Sequence, residues 1–109
     1  MRVAAVQLAP VFMNRAATLD KVLDTLGEAA ANGAQLVAFP ETFVPGYPAW
    51  ADFTDASTFN DADQKAAYAI YLDNAVDIAR GDLDTVVSVA SQLGIFVYLG
   101  VAARSEASG

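Results

Sequence analysis

The chain has 109 residues, 55% of them hydrophobic and 17% charged, which suits one folded domain and excludes intrinsic disorder. Thirteen acidic residues against six basic ones give a formal charge of −7. Arg2, Arg15, Lys21, Lys65, Arg80 and Arg104 are spread singly, without the clustered cations that nucleic acid requires. No apolar run reaches the ~18 residues of a membrane span, and Met1-Arg2-Val3 opens without a signal-peptide pattern. The expectation is a soluble, cytoplasmic protein with neither nucleic acid nor membrane as a partner.

Val3 to Leu8 reads as a strand, short and almost wholly apolar, closed by Pro10. A continuous apolar run, rather than alternation, predicts a strand covered on both faces. Asn14 is the expected N-cap of a helix whose inner face is Leu19, Val22, Leu23, Leu26, Ala29 and Ala30. Asn32-Gly33 stops it. A second buried strand, Leu36-Val37-Ala38-Phe39, ends at Pro40. Strand, helix and strand in about forty residues predict a βαβ unit with parallel strands and a right-handed crossover. The fold class is therefore α/β.

From Thr42 to Asn60 the texture changes to prolines and aromatics, a loop long enough to be functional or interfacial. A helical stripe at Ala66, Ala67, Ile70 and Tyr71 follows, and Ala75 to Ile78 has no clear assignment. Asp82 is expected to cap a further helix with Leu83, Val86, Val87, Ala90 and Leu93 inward and Gly94 closing it. Ile95 to Val101 reads as a third buried strand, and residues 102–109 are small and polar.

Without cysteine there is no disulfide, thiol nucleophile or thiolate metal site, and without histidine the commonest general base is gone. Carboxylates, hydroxyls and two lysines remain. One carboxylate stands out. Glu41 directly follows a buried strand, and ligands of parallel α/β sheets gather at the carboxyl ends of the strands. A solvated loop carboxylate is the plain alternative. The glycines lack phosphate-cradling spacing, and Asp52, Asp55, Asp61 and Asp63 lack the spacing of a calcium loop. No metal or cofactor is expected.

The segment Gly33 to Pro48 resembles the first signature of the nitrilase branch of the carbon–nitrogen hydrolase superfamily. Gly33, Leu36-Val37, Phe39, Glu41, Val44 and Gly46-Tyr47-Pro48 stand at the positions that signature fixes. Arg2 to Gln7 and Leu93 to Gly100 look like the family's first and third strands, so the resemblance covers nearly the whole chain. It is looser between Ala51 and Arg80.

The resemblance implies a four-layer αββα sandwich, homo-oligomers, no cofactor, and a Glu, Lys, Cys triad acting on a small nitrile or amide. By position Glu41 is the general base that takes the thiol proton. Tyr47 and Trp50 line the substrate pocket, or else cover, with Phe43, the end of the sheet or an oligomer contact. Thr42 is expected to cap the turn rather than hydrogen-bond Glu41. The departure is the missing cysteine, and Lys21 and Lys65 both read as solvated helix residues. The family's Lys and Cys come later in the chain, so residues 1–109 are expected to be a partial domain of a longer hydrolase. Within enzymes the alternative is an amidase, or a cyanide- or nitrile-hydrating relative, on the same fold. Outside them it is a non-catalytic α/β module binding a partner through the aromatic loop.

Overall fold

A computed structural model describes residues 1–46 and 69–104. Its named elements run β1 (Val3–Ala5), α1 (Arg15–Ala31), β2 (Leu36–Ala38), α2 (Asp84–Leu93) and β3 (Phe96–Tyr98). The strands form one parallel sheet in the order β1-β2-β3. Because the order advances in one direction and each crossover is right-handed by rule, both helices belong on the same face. They do pack together there, with Val22 and Leu26 of α1 and Val86 of α2 in one core with Val37, Phe39, Phe43, Val44 and Val76.

The expected βαβ start is present, with its caps. Asn14 accepts the Ala17 N–H at 3.0 Å, and Gly33 takes the left-handed conformation at φ +85° just past the end of α1. Gly94 closes α2 in the same way. Thr18 is fully buried yet satisfied, donating to the Val11 carbonyl at 2.9 Å and accepting the Val11 N–H at 3.1 Å. That pair fastens the connection after β1 to the first turns of α1. Lys21 contributes there too. Its Nζ donates to the Ala9 carbonyl at 2.8 Å, so it is a tether and not merely a solvated side chain.

Register decides which side chains the helices cover. Ala4, Val37 and Val97 lie in one row across the sheet and point into the core. The flanking rows, Val3-Leu36-Phe96 and Ala5-Ala38-Tyr98, lie on the opposite face. Phe96 and Tyr98 are 71% and 70% exposed and Val3 is 53% exposed. The strands were expected to be covered on both faces. Within the described residues only one face is.

The edge of β3 that faces β2 continues well past the named strand. Phe39 donates to the Tyr98 carbonyl, Val44 to that of Gly100, and Ala102 back to that of Val44. Val76 then takes over, donating to the Ala102 carbonyl and accepting from Arg104. Thus the unassigned stretch around Val76 forms a parallel bridge with Ala103, as Val44 does with Val101. Residues 69–73 are helical, with Tyr71 buried but Ile70 54% exposed, so the expected stripe does not point inward at both. The remainder of that stripe, Ala66 and Ala67, lies outside the described residues.

Two expectations for α2 need correction. Val87 is 65% and Leu93 40% exposed, so its inner face is narrower than the periodicity suggests and is centred on Val86. Asp82 does not cap α2. Leu83 occupies that position without a side-chain bond. The Asp82 carboxylate is already engaged, accepting from Arg80 at 2.6 and 2.9 Å and from the Asp77 N–H at 2.8 Å. Arg15 Nε lies 3.5 Å away, and its Nη1 donates to the carbonyls of Asp73 and Ala75. Asp82 thereby ties the 73–82 connection to the start of α1.

The Arg80 hydrogen bond, opposed in part by burial and helped by the Asp77 N–H and Arg15, lowers the Asp82 pKa from its ordinary 3.8 to about 2. A depressed carboxylate stabilises the fold above its unfolded pKa, and that contribution is lost as pH falls through the folded value. Asp82→Asn should therefore lower the melting temperature at neutral pH. The gap to the wild type should close as pH falls from about 4 to about 2. Thermal melts of both proteins across that range check this.

Candidate functional site

Between Phe39 and Val44 the parallel ladder is interrupted. On β3 the next acceptor after Tyr98 is Gly100, two residues on, whereas on the partner segment the donors Phe39 and Val44 are five apart. With the four residues Pro40 to Phe43 facing the single Leu99, the extra chain must leave the plane of the sheet. It does so as a turn at the carboxyl end of β2, with Pro40 and Glu41 exposed. This is where open parallel sheets place ligands.

Both feet of the turn are anchored. Phe39 and Phe43 are 4% and 2% exposed, with ring centroids 5.4 Å apart and planes tilted by 46°. Burying each contributes about 1.5–3 kcal/mol, and the tilted pair adds about 0.5–1.5 kcal/mol. Glu41 is therefore an exposed carboxylate carried on a fixed backbone. Thr42 supports the tight path with φ +53°, and its carbonyl accepts the Gly46 N–H at 3.1 Å. Its role in shaping the turn, expected from its place beside Glu41, is the geometry found.

The segment that follows is fastened from two sides. Met13 donates to the Pro45 carbonyl at 2.9 Å, and the buried Tyr71 hydroxyl donates to the Gly46 carbonyl at 2.8 Å. Gly46 has φ +119°, and a Cβ on it would lie 2.6 Å from the Phe12 ring. The loop after β1 and the helical segment ending at 73 therefore converge on Pro45 and Gly46, just past the turn.

Beneath the turn lies Gly100. A Cβ there would stand 2.6 Å from both the Pro40 oxygen and the Thr42 nitrogen, and 2.9 Å from Glu41 Cα. From the sequence, Gly100 reads only as part of a strand. A glycine inside a strand pattern commonly marks close approach by another backbone, and that signal was present.

Tyr47, Trp50 and Lys65 lie outside the described residues, as do Asp52, Asp55, Asp61 and Asp63. Two open grooves lie away from the turn. One of about 340 Å³ runs between β1 and α1, and one of about 440 Å³ runs along α2 and β3. Glu41 lines neither. Among the described residues there is no metal-binding cluster of acidic side chains, and no helix is long and apolar enough to cross a membrane.

Known proteins resemble this chain along almost its whole length. The carbon-nitrogen hydrolase family profile matches residues 2–109. A nitrilase of Pseudomonas syringae pv. syringae (strain B728a) is 38% identical over 99% of the chain, which spans 31% of that protein. An arylacetonitrilase of Hypocrea virens (strain Gv29-8 / FGSC 10586) is 38% identical over the same 99%, again 31% of the relative. A bifunctional nitrilase/nitrile hydratase of Nicotiana tabacum is 35% identical over 95% of the chain and 30% of its own length. The chain thus spans about a third of the length of these relatives. With the family profile matched over almost every residue, the chain belongs to the carbon-nitrogen hydrolase family.

Proposed function

We propose that residues 1–109 form the first part of a nitrilase that converts a nitrile, with two waters, to a carboxylic acid and ammonia. In this reading Glu41 is the general base of a Glu, Lys, Cys mechanism whose Lys and Cys lie beyond residue 109. Glu41 takes the thiol proton, and the thiolate adds to the nitrile carbon to give a thioimidate. Water attacks, ammonia leaves with protons delivered through the acid–base groups, and a second water cleaves the thioester. A lysine ammonium would offset the negative charge of the tetrahedral stages in a site closed to bulk water.

The observation that carries this reading is the anchored turn, which holds Glu41 at the carboxyl end of a parallel sheet. A general base must stay within hydrogen-bond reach of its proton, and such a mount limits how far it drifts. The rows around Phe96 and Tyr98, uncovered among the described residues, support the expectation that this sheet belongs to a larger sandwich. An apolar sheet face of that size requires a second layer, as an αββα sandwich would supply.

Hydration to the amide is the second reading, favoured by the similarity to the bifunctional nitrilase/nitrile hydratase of Nicotiana tabacum. The two diverge when the tetrahedral adduct collapses, by losing ammonia or by expelling the thiolate.

The test is ammonia and amide release by the full-length protein from arylacetonitriles and aliphatic nitriles, before and after alkylation with iodoacetamide. Ammonia in excess over amide, abolished by alkylation, is expected. Predominant amide would favour hydration, and activity indifferent to alkylation would defeat the thiol mechanism. In the same assay Tyr47→Phe should alter KM or substrate ranking more than the melting temperature, if Tyr47 lines the pocket.

A further inference from the structure

Gly100 is the floor on which the Glu41 turn rests. The atoms its Cβ would strike, at 2.6 to 2.9 Å, are the oxygen of Pro40, the nitrogen of Thr42 and the Cα of Glu41. All belong to backbone, so none can swing aside as the tip of a side chain would. Nor can the turn lift freely, since Phe39 and Val44 are bonded into the ladder on either side of it. Gly100 is not among the glycines with positive φ. Its missing side chain therefore supplies room, not conformational freedom.

We propose that Gly100 is a positioning residue for the hydrolytic reaction. By carrying no Cβ it lets the Glu41 turn settle against the strand and sets where the carboxylate stands. This rests on the reading of Glu41 as general base. A methyl at position 100 must push Pro40 to Thr42 outward, and Glu41 moves with them. The left-handed Thr42 gives the turn little freedom to absorb the push by changing its own path.

The test is a double-mutant cycle in the full-length hydrolase, with phenylacetonitrile as probe and circular dichroism to establish folding. Gly100→Ala should lower kcat by about 10- to 100-fold through misplacement of the base, with a much smaller change in KM. Gly27→Ala, at a glycine where a Cβ meets nothing within 4 Å, should leave the rate unchanged. In a Glu41→Gln background Gly100→Ala should cause little further loss, because the group it positions is gone. Losses that multiply in the double variant would overturn the proposal, as would a Gly100→Ala enzyme of near wild-type kcat. Failure of Gly100→Ala to fold would also overturn it, since the effect claimed is confined to the turn. Full activity in Glu41→Gln alone would instead sink the reading of Glu41.

Discussion

Replacing Glu41 with Gln in the full-length hydrolase should lower turnover by about 10²- to 10⁴-fold, the usual loss when a general base is removed. The melting temperature should meanwhile stay within a few degrees. The two effects separate because of how the turn is built. Its stability comes from the buried Phe39 and Phe43 pair and the bonds at Tyr98 and Gly100, which offset the cost of a left-handed Thr42. The exposed Glu41 side chain contributes to none of these. Gln keeps the shape and most hydrogen-bonding capacity but cannot accept the thiol proton. Were Glu41 a solvated loop carboxylate only, the change would leave the rate nearly intact. Steady-state kinetics beside a thermal melt distinguishes the outcomes.

The isolated chain of residues 1–109 should lack both activity and a well-packed native state. With no cysteine it has no thiol to attack a nitrile, so ammonia release should stay at background. Its sheet is covered on the helical face by a core around Val22, Leu26, Val37 and Val86. The opposite face leaves Val3, Phe96 and Tyr98 more than half exposed. Monomeric proteins rarely leave such a contiguous apolar face in water. Aggregation, or a compact state that binds a hydrophobic dye and melts without a sharp transition, is the expected behaviour. A monodisperse monomer with a cooperative melt would contradict the need for a second layer. Light scattering and calorimetry decide it.

The parts of this fold legible in the sequence are those set by neighbours along the chain. Asn14, Asn32-Gly33 and Gly94 marked helix ends because capping acts within one turn, and each cap lies where the sequence placed it. The apolar runs at 3–8, 36–39 and 95–101 located the three strands. What stayed hidden depends on partners far along the chain. Val76 joins the ladder through single bonds to Ala102 and Arg104, too little periodicity for any pattern to detect. Asp82 had the type and position of a helix cap, but Arg80 and Arg15 drew its carboxylate elsewhere. Val87 shares the helical period of the core yet is mostly exposed, at the open groove along α2 and β3.

The site was legible in the same uneven way. Glu41 was visible because it follows a buried strand and sits inside a dense motif, and its turn is found at the expected end of the sheet. The mount beneath it was not. Gly100 lies 59 positions downstream, and only the folded ladder brings its Cα under the Glu41 backbone. A glycine in a strand signals close approach but cannot name what approaches.

Rapid-quench intact-mass spectrometry of the full-length enzyme, mixed with an arylacetonitrile, tests the role of Glu41 most directly. Wild-type protein should gain the mass of the nitrile on a single cysteine within the first turnover. Glu41→Gln, shown to be folded, should gain it slower by about 10²-fold or more, since thiolate formation is the step that loses its base. Adduct formation at the wild-type rate in Glu41→Gln would contradict the account, and the base would then have to lie elsewhere in the protein.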